Sequence, residues 1–309
     1  MSDMVEIEPV PRADWSRALD LLAPEGRAGA RKVALWAMLS GPQAKQCRFW
    51  WARDGRSPRA AAISLRNPGR TAVIYHCPPA AGDPTALSKL LEALTEVVLA
   101  DDAAFAQVLL PPRARAAADA FVQAGYRHLA RLIYLRRDLS DVAQAVPAPP
   151  AGELSWPTLA EFDEQQLGQV IADTYVDSHD CPALLGLRPM VDVIAGHKSS
   201  GIFRPQWWWM PTLDGECAGC VLVNEAFDVE ATAEVVYLGV RPAWRRRGIA
   251  RAMIRHAIVV AASEGMKALH LAVDAANTVA AKLYRQQGFR EIQQKDAYIR
   301  VPRCQFNSA

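Results

Sequence analysis

The stretch of sequence that decides the fold is Glu234–Ala250, which reads Glu-Val-Val-Tyr-Leu-Gly-Val-Arg-Pro-Ala-Trp-Arg-Arg-Arg-Gly-Ile-Ala. It begins as an apolar strand, breaks at Arg241-Pro242, and passes three arginines before Gly248, where an alanine-rich helix starts. A strand, a basic turn and a helix N-terminus form a cradle for an anion, because backbone N–H groups are unpaired there and the helix dipole favours negative charge. The stretch therefore predicts an anion-binding site.

Length and composition restrict the class of protein. With 309 residues, 51% of them hydrophobic, the chain is long enough for two domains with real cores. Its formal net charge of +2 argues against a general polyanion binder, so we expect no nucleic-acid partner. No apolar run is long enough to span a membrane, and the acidic segment Met1–Glu6 lacks a signal-peptide pattern. The six scattered cysteines are typical of a reduced protein, and we expect a cytoplasmic one.

Two cysteines, Cys217 and Cys220, are close enough in sequence to raise the question of a metal or redox site. A zinc site needs four ligands, and no second pair has matching spacing. A redox pair is expected at a helix N-terminus, whereas this pair leads into Val221–Val223, which predicts a strand. We therefore predict a structural role for both cysteines and no metal site.

The second half of the sequence repeats the first. Phe121-Val-Gln-Ala-Gly125-Tyr126 corresponds to Tyr284-Arg-Gln-Gln-Gly288-Phe289, and Tyr134-Leu-Arg corresponds to Tyr298-Ile-Arg at nearly the same separation. A repeat of this length indicates two domains of one fold rather than a solenoid. We therefore predict an α/β (α+β) protein with two tandem copies, each a mixed, mostly antiparallel sheet flanked by helices.

The predicted boundaries follow from a change of composition between the copies. Residues 1–140 form the first copy, the proline-rich segment 141–155 forms a linker, and residues 156–309 form the second copy. The copies differ at one place, because the first has the proline-rich loop Pro78–Pro84 where the second has its arginine–glycine turn. We expect the first copy to lack an anion cradle and to be inactive and structural.

One combination of motifs resembles the GNAT (N-acetyltransferase) superfamily. It consists of Arg245-x-x-Gly248-x-Ala250 between a strand and a helix, followed by Asn277 and by Leu283-Tyr284-x-x-x-Gly288-Phe289. The tandem arrangement is similar to that of mycothiol synthase-like double-GNAT proteins, in which one copy carries the chemistry. The resemblance implies that acetyl-CoA is the cosubstrate, that its pyrophosphate is the anion, and that the acetyl group moves to a primary amine.

The resemblance also implies that the strand Glu234–Val240 is splayed from its neighbour, and it implies roles for individual residues. The backbone N–H of Leu238 would act as an oxyanion donor to the thioester, and Glu234 falls where several members of the family hold a general base. Tyr284 matches a tyrosine that can protonate the departing thiolate, since a phenol has a pKa near ~10 and a thiol one near ~8.5. The implied cofactor contacts are Leu238, Val240, Arg245, Arg246, Arg247, Gly248, Ile249, Ala250, Arg251, Asn277 and Tyr284.

The acceptor site is less well defined by the sequence. In the family the acceptor meets the first helices, their loop and the hairpin, and the candidates there are Asp177, His179, Asp180 and Trp207. Aspartate and histidine in one loop suit a cationic amine, whereas tryptophans in a strand are more often core residues.

Three alternatives stay open for the function. One is a coenzyme A-binding sensor or scaffold without turnover, and a second is an N-acetyltransferase with a protein or peptide acceptor or a longer acyl donor. The third is nucleic-acid binding through Arg241–Arg255, against which the near-neutral charge argues. We expect a small-molecule acceptor, no membrane partner, and a monomer or homodimer.

Overall fold

The computed structural model describes residues 5–23, 28–55, 57–79, 82–142, 154–227 and 229–302, with residues 28–30 as backbone only. The chain divides into two compact units. The first comprises Met1–Leu129 together with Asp296–Ala309, and the second is Ala130–Lys295. The predicted 141–155 linker lies largely outside the described residues. Its role as the boundary between the two copies stays a prediction.

The first unit is a mixed sheet packed against helices. Its strands are β1 (Glu6–Pro9), β2 (Cys47–Asp54), β3 (Ser57–Asn67), β4 (Thr71–His76) and β5 (Phe105–Leu110). Its helices are α1 (Trp15–Leu22), α2 (Ala28–Ser40), α3 (Pro84–Ala100) and α4 (Arg115–Gln123). The strands pair in chain order, antiparallel except for β4 with β5, which are parallel and joined through α3. The leucines of α3, which recur at helical spacing in the sequence, are buried in the core of this unit.

The second unit has the same plan. Its strands are β6 (Arg127–Asp138), β7 (Trp208–Trp209), β8 (Thr212–Leu213), β9 (Glu216–Cys217), β10 (Gly219–Glu225), β11 (Thr232–Val240) and β12 (Ala268–Asp274). Of β6, the part from Ala130 onward lies in this unit. Its helices are α5 (Glu164–Tyr175), α6 (Met190–Ser199), α7 (Ile249–Ser263) and α8 (Thr278–Gln286). The main sheet runs β7-β10-β11-β12-β6 and is antiparallel except for β11 with β12. The predicted fold class is confirmed.

The strand that closes each sheet comes from a distant part of the chain. In the second unit, β12 pairs antiparallel with β6 along its whole length, from Ala268 opposite Asp138 to Asp274 opposite Leu132. In the first unit, β5 pairs antiparallel with Asp296–Arg300, the end of β13 (Arg290–Arg300). The sequence repeat assigns β6 to the first copy and β13 to the second, so each sheet contains a strand assigned to the other copy.

Some local elements differ from the sequence-based expectation. Residues 158–175 have a helical pattern in the sequence, but α5 begins at Glu164, because Asp163 and Gln166 form a capping box that fixes its start. The sequence of residues 206–210 predicts a strand, but only Trp208–Trp209 forms one. Residues 289–292 and 297–301 predict two strands, whereas the structure has one continuous strand there, β13. None of the described helices is long and apolar enough to cross a membrane.

Candidate active site

The strand β11 separates from its neighbour β12 partway along its length. Parallel pairing between the two reaches Val235 opposite Leu271 and then ends, although β11 continues to Val240. A slot therefore opens between the carboxyl ends of two parallel strands, where ligands bind in open α/β sheets. The resemblance implied such a splay for Glu234–Val240.

A β-bulge coincides with the separation. Val223 of β10 pairs with Val235, whereas the next residue, Leu222, pairs with Tyr237, so that Val236 is an extra residue in β11. A bulge bends the strand that contains it and increases its local twist. The corresponding strands of the first unit, β3 and β4, pair without any such shift.

The backbone groups of Leu238 and Val240 face the slot. The Arg241 N–H donates to the Ala218 carbonyl at 3.0 Å, which fixes the alternation of hydrogen-bonded pairs between β11 and β10. By that alternation Leu238 and Val240 belong to the pairs that are not hydrogen-bonded to β10, so their N–H and C=O groups point toward the open edge. An extended ligand in the slot can bond to these groups as an added strand does, and it shares the Val240 carbonyl with Arg245, whose Nε donates to it.

The helix α7 begins without a side-chain cap. Its N-cap Gly248 has φ +83°, which glycine adopts without strain, and a Cβ there would meet no atom within 4 Å. The first helical bond joins the Ala252 N–H to the Gly248 carbonyl at 3.0 Å, so the N–H groups of Ile249–Arg251 have no partner within the helix. The helix dipole adds to the attraction of these groups for an anion.

Three arginines surround this helix start with exposed side chains. Arg246, Arg247 and Arg251 are exposed, and the Arg247 guanidinium lies 5.0 Å from the ring centroid of Trp244. Guanidinium groups form bidentate, charge-assisted hydrogen bonds with phosphate. The structure thus has the uncapped helix start and the exposed arginines of the predicted cradle, and its occupation by pyrophosphate stays a prediction.

The fourth arginine, Arg245, binds the protein's own backbone. Its Nε donates to the Val240 carbonyl at 3.1 Å, and its Nη2 donates to the carbonyls of Thr174 at 3.1 Å and Val176 at 2.5 Å. The side chain therefore ties the end of β11 to the end of α5. Its predicted contact with the cofactor stays a prediction, and its direct structural role is to hold the turn.

We expect Arg245→Lys to destabilise the fold by about 2 kcal/mol, because hydrogen bonds to a charged group contribute about 1.5–3 kcal/mol and an ammonium cannot reproduce the planar fork. For a unit of this size the melting temperature should fall by roughly 4–8 °C. Arg247→Lys changes an exposed side chain two residues away and serves as the control in thermal unfolding. Equal melting temperatures for the two variants would contradict the role given to Arg245.

The corresponding helix start in the first unit is already capped. The Asp83 carboxylate accepts hydrogen bonds from the N–H groups of Thr85 at 2.8 Å and Ala86 at 3.2 Å, and Pro84 has no N–H to offer. A negative charge thus occupies the place that an anion would take at the start of α3. This capping supports the prediction that the first copy lacks a cofactor cradle.

The helix α8 supplies two of the predicted residues. Asn277 is its N-cap, and its side chain accepts a hydrogen bond from the Ala280 N–H at 3.2 Å. Tyr284 is buried, and burial together with the charge of Asp180 raises its pKa, so the phenol stays protonated at neutral pH. In the repeat, Phe121 corresponds to Tyr284 and has no hydroxyl group.

Comparisons with known proteins agree with this geometry. Residues 188–289 match the Acetyltransferase (GNAT) family. The second unit carries a GNAT acetyltransferase domain. N-acetylaspartate synthetases of Rattus norvegicus and Homo sapiens are each 32% identical to this chain over 92 residues, and the match spans 30% of this chain and 30% of each relative.

Solved GNAT structures are similar over nearly the whole chain. A GCN5-related N-acetyltransferase from Sphaerobacter thermophilus has a TM-score of 0.62 at 20% identity, covering 97% of this chain and 96% of its own. A tandem GNAT protein from the clavulanic acid biosynthesis pathway has a TM-score of 0.54 at 16% identity, and the similarity covers 96% of this chain and 98% of that protein. These similarities show the fold and include the tandem arrangement predicted from the repeat.

A cavity of ≈ 490 Å³ opens beside Glu234 in the GNAT domain. Glu234 is half-buried, and among the described residues its carboxylate has no hydrogen bond and no ion pair. Burial raises the pKa of Glu234, and burial together with the charge of Glu234 raises the pKa of Tyr134 to about 12. The other described wall residues are Leu135, Ser199, Ser200, Gly201, Ala226, Phe227, Val229, His270, Leu271, Ile292 and Gln293.

The loop that follows α5 is attached to the end of β12. Asp180 Oδ1 accepts a hydrogen bond from the Asp274 N–H at 3.2 Å, and the Cys181 N–H donates to Asp274 Oδ2 at 3.3 Å. Burial and the charge of Asp274 raise the pKa of Asp180, whose own charge acts on Tyr284. The charge of Asp180 thus acts on the predicted general acid, but Asp180 as a whole is exposed, like Asp177 and His179, and none of the three lines the Glu234 cavity.

Trp207, the fourth acceptor candidate, lies in the hydrophobic core. Its side chain is 3% exposed and belongs to the same apolar cluster as the buried residues of α7. It is not part of the cavity wall. The structure therefore favours the core interpretation that tryptophans in a strand already suggested.

Several residues near the site carry no motif in the sequence. Tyr237 follows the bulge, and its hydroxyl lies 2.5 Å from Thr174 Oγ1, with its ring 5.3 Å from that of His197. Tyr134 and Phe227 reach the cavity from segments about a hundred residues apart in sequence. Only their aromatic character marks them in the sequence, and it does not distinguish a cavity wall from a core.

Proposed function

We propose that this chain is an acetyl-CoA-dependent N-acetyltransferase that moves an acetyl group to the primary amine of a small molecule. The observation that carries the proposal is that the free edge of β11, which borders the slot, leads directly into the helix N-terminus that forms the anion cradle. The outward-facing backbone of Leu238 and Val240 leads within eight residues to the uncapped N-terminus of α7. The pantetheine arm of the cosubstrate pairs with this strand edge, while its pyrophosphate accepts hydrogen bonds from the helix start.

The reaction follows from the residues around the slot. The amine nitrogen attacks the thioester carbon, and the Leu238 N–H stabilises the oxyanion that forms. Glu234 accepts the proton of the amine, and the C–S bond breaks as Tyr284 protonates the departing thiolate. Glu234 lies four residues before Leu238, at most about 13 Å along an extended strand, so we assign the proton transfer to a water-mediated path.

The other features support this proposal at a coarser level. The similarity to N-acetylaspartate synthetases supports transfer to an amino group, although it spans 30% of those proteins. All five cysteines in the described part of the chain are free thiols, which supports the proposed cytoplasmic location.

The test combines cosubstrate binding with turnover. Calorimetry measures the affinity for acetyl-CoA, and release of free thiol measures acetyl transfer to a panel of primary amines. We expect Tyr284→Phe to lower kcat about 100-fold, the usual contribution of a general acid, with acetyl-CoA affinity unchanged. Tyr75→Phe in the first unit is the matched control. Tight binding without turnover by the unmodified chain would identify a sensor, and absence of binding would refute the proposal.

Glu234→Gln should change activity and stability in opposite directions. A base must be ionised, so kcat/KM should rise with pH through a pKa above the ordinary value for glutamate, and the substitution should remove this limb. A raised folded-state pKa means that Glu234 stabilises the fold below its unfolded pKa and loses that contribution as pH rises through the folded pKa. The variant should therefore melt higher than the unmodified chain at pH 8 and show little gain at pH 4. Glu230→Gln, an exposed carboxylate nearby, should change neither property.

A further inference from the structure

We infer that the acceptor of this GNAT domain is a hydrophobic primary amine with no carboxylate beside its amino group. The inference rests on the proposed function and specifies its acceptor. It is argued from the cavity beside Glu234, whose described walls combine one unpaired carboxylate with an apolar rim.

The charge of the cavity suits an ammonium group. The Glu234 carboxylate is half-buried without a partner among the described residues, and a buried charge of this kind is costly unless a cation compensates it. His270 also lines the cavity, but burial and the charge of Arg136 lower its pKa, so it is neutral at physiological pH. Glu234 is therefore the one charged group on the described wall, and its complement is an ammonium group separated from it by the water of the proposed proton path.

The described wall has no cationic side chain to pair with a carboxylate, since none of its residues is a lysine or an arginine. Arg136, which follows the wall residue Leu135 on β6, donates through Nε and Nη2 to Asp138 at 3.0 and 2.9 Å, and its Nη1 lies 3.5 Å from Nε2 of the wall residue His270. Lys295 lies with its Nζ 5.3 Å from the ring centroid of Tyr134, on which it stacks. An α-amino acid would place its carboxylate next to Glu234 without a counterion, and like charges repel strongly where water is excluded.

The rim of the cavity is apolar and exposed. Phe227, Val229 and Ile292 line the cavity and are 66%, 41% and 50% exposed, respectively. Exposed apolar side chains gathered at a concave site mark a ligand-binding surface. Because these three side chains are exposed and line the same cavity as Glu234, an alkyl or aryl body attached to the ammonium group would cover them.

The size of the cavity agrees with a small acceptor. Its volume of ≈ 490 Å³ lies within the range of small-molecule sites, about 300–1,000 Å³. Leu135 and Leu271 contribute apolar surface from the sheet itself. An arylalkylamine matches this combination of one ammonium group and a compact apolar body.

The experiment compares matched pairs of acceptors in the thiol-release assay. The pairs are phenethylamine with phenylalanine and tyramine with tyrosine, which differ only by the carboxylate. We expect kcat/KM to be at least 100-fold higher for the amine of each pair. Ethanolamine, which has an ammonium group but no apolar body, should react at least tenfold less efficiently than phenethylamine.

Two substitutions test separately the contribution of the apolar rim and the effect of adding a cation to the wall. Phe227→Ser should raise the KM for phenethylamine about tenfold while leaving the affinity for acetyl-CoA unchanged, and Val191→Ser, another exposed apolar residue of the same unit, should change neither. Ser200→Arg places a guanidinium on the exposed wall and should narrow the preference for phenethylamine over phenylalanine at least tenfold.

Equal or better use of the amino acids, or of ethanolamine, would overturn the inference while leaving the proposed function intact. A chain that fails to bind acetyl-CoA would overturn both. Since acetyl-CoA affinity is measured separately from acceptor preference, the two failures are distinguishable.

Discussion

Gly248→Asp is expected to raise the dissociation constant for acetyl-CoA at least about 100-fold while the chain stays folded. The substitution gives α7 the carboxylate that α3 already has in Asp83, which accepts hydrogen bonds from its own helix start. An aspartate at position 248 would compete for the N–H groups of Ile249–Arg251 and repel the pyrophosphate. A 100-fold change corresponds to about 2.7 kcal/mol, comparable with the loss of one or two charge-assisted hydrogen bonds.

Stability should change little in this variant. A side chain at Gly248 meets no atom within 4 Å, so the remaining cost is the left-handed φ, about 1 kcal/mol for a residue other than glycine and less for aspartate or asparagine. Gly248→Asn tests bulk without charge, and we expect a smaller loss of affinity. Gly265→Asn provides the matched control, since Gly265 lies at the other end of α7 with φ +80° and equally open surroundings. Unchanged affinity in Gly248→Asp would refute the anion cradle.

A fragment of residues 156–295 should not fold, whereas a fragment of residues 127–295 should. The shorter fragment lacks β6, which pairs with every residue of β12. It also lacks five buried apolar side chains of the second core, Ile133, Leu135, Leu139, Val142 and Leu154. At about 1.5–3 kcal/mol for each, the loss is roughly 8–15 kcal/mol, as large as the whole stability of an ordinary domain, about 5–15 kcal/mol.

Circular dichroism and thermal unfolding of the two fragments give the answer. The longer fragment should unfold cooperatively, and the shorter one should lack a transition. Both end at Lys295, so the comparison isolates the N-terminal extension. A cooperative transition in the shorter fragment would show that β6 is dispensable, and would favour the boundary at the proline-rich linker over the unit Ala130–Lys295.

The parts of the site that the sequence predicted are those encoded by short contiguous motifs. Gly248 followed by an alanine-rich helix predicted an uncapped helix start, because glycine, a helix N-terminus and neighbouring arginines have local consequences. Asn277 was identifiable as an N-cap from its position before a helical pattern, and its side chain does cap α8. The splay after Glu234 required the family resemblance in addition.

The parts that the sequence did not predict depend on contacts between distant segments. Arg245 had the signature of a ligand-binding arginine, but its partners are carbonyls of Thr174 and Val176, about seventy residues earlier. The pairing of β6 with β12 could not be inferred, since one apolar strand is as suitable a neighbour as another until the tertiary fold selects it. The cavity beside Glu234 is built from several separate segments, none of which carries a recognisable pattern alone.

The extra residue Val236 separates β11 from the corresponding strand of the first unit, where pairing proceeds without a shift. What differs there is the number of residues rather than the identity of any one of them. In both units the strand outlasts its parallel pairing, since β4 continues to His76 although its pairing with β5 ends at Val73. The insertion or deletion of a single codon would thus be enough to change the bend of this strand in one copy, and the face on which its later side chains lie, without altering any side chain at the cradle.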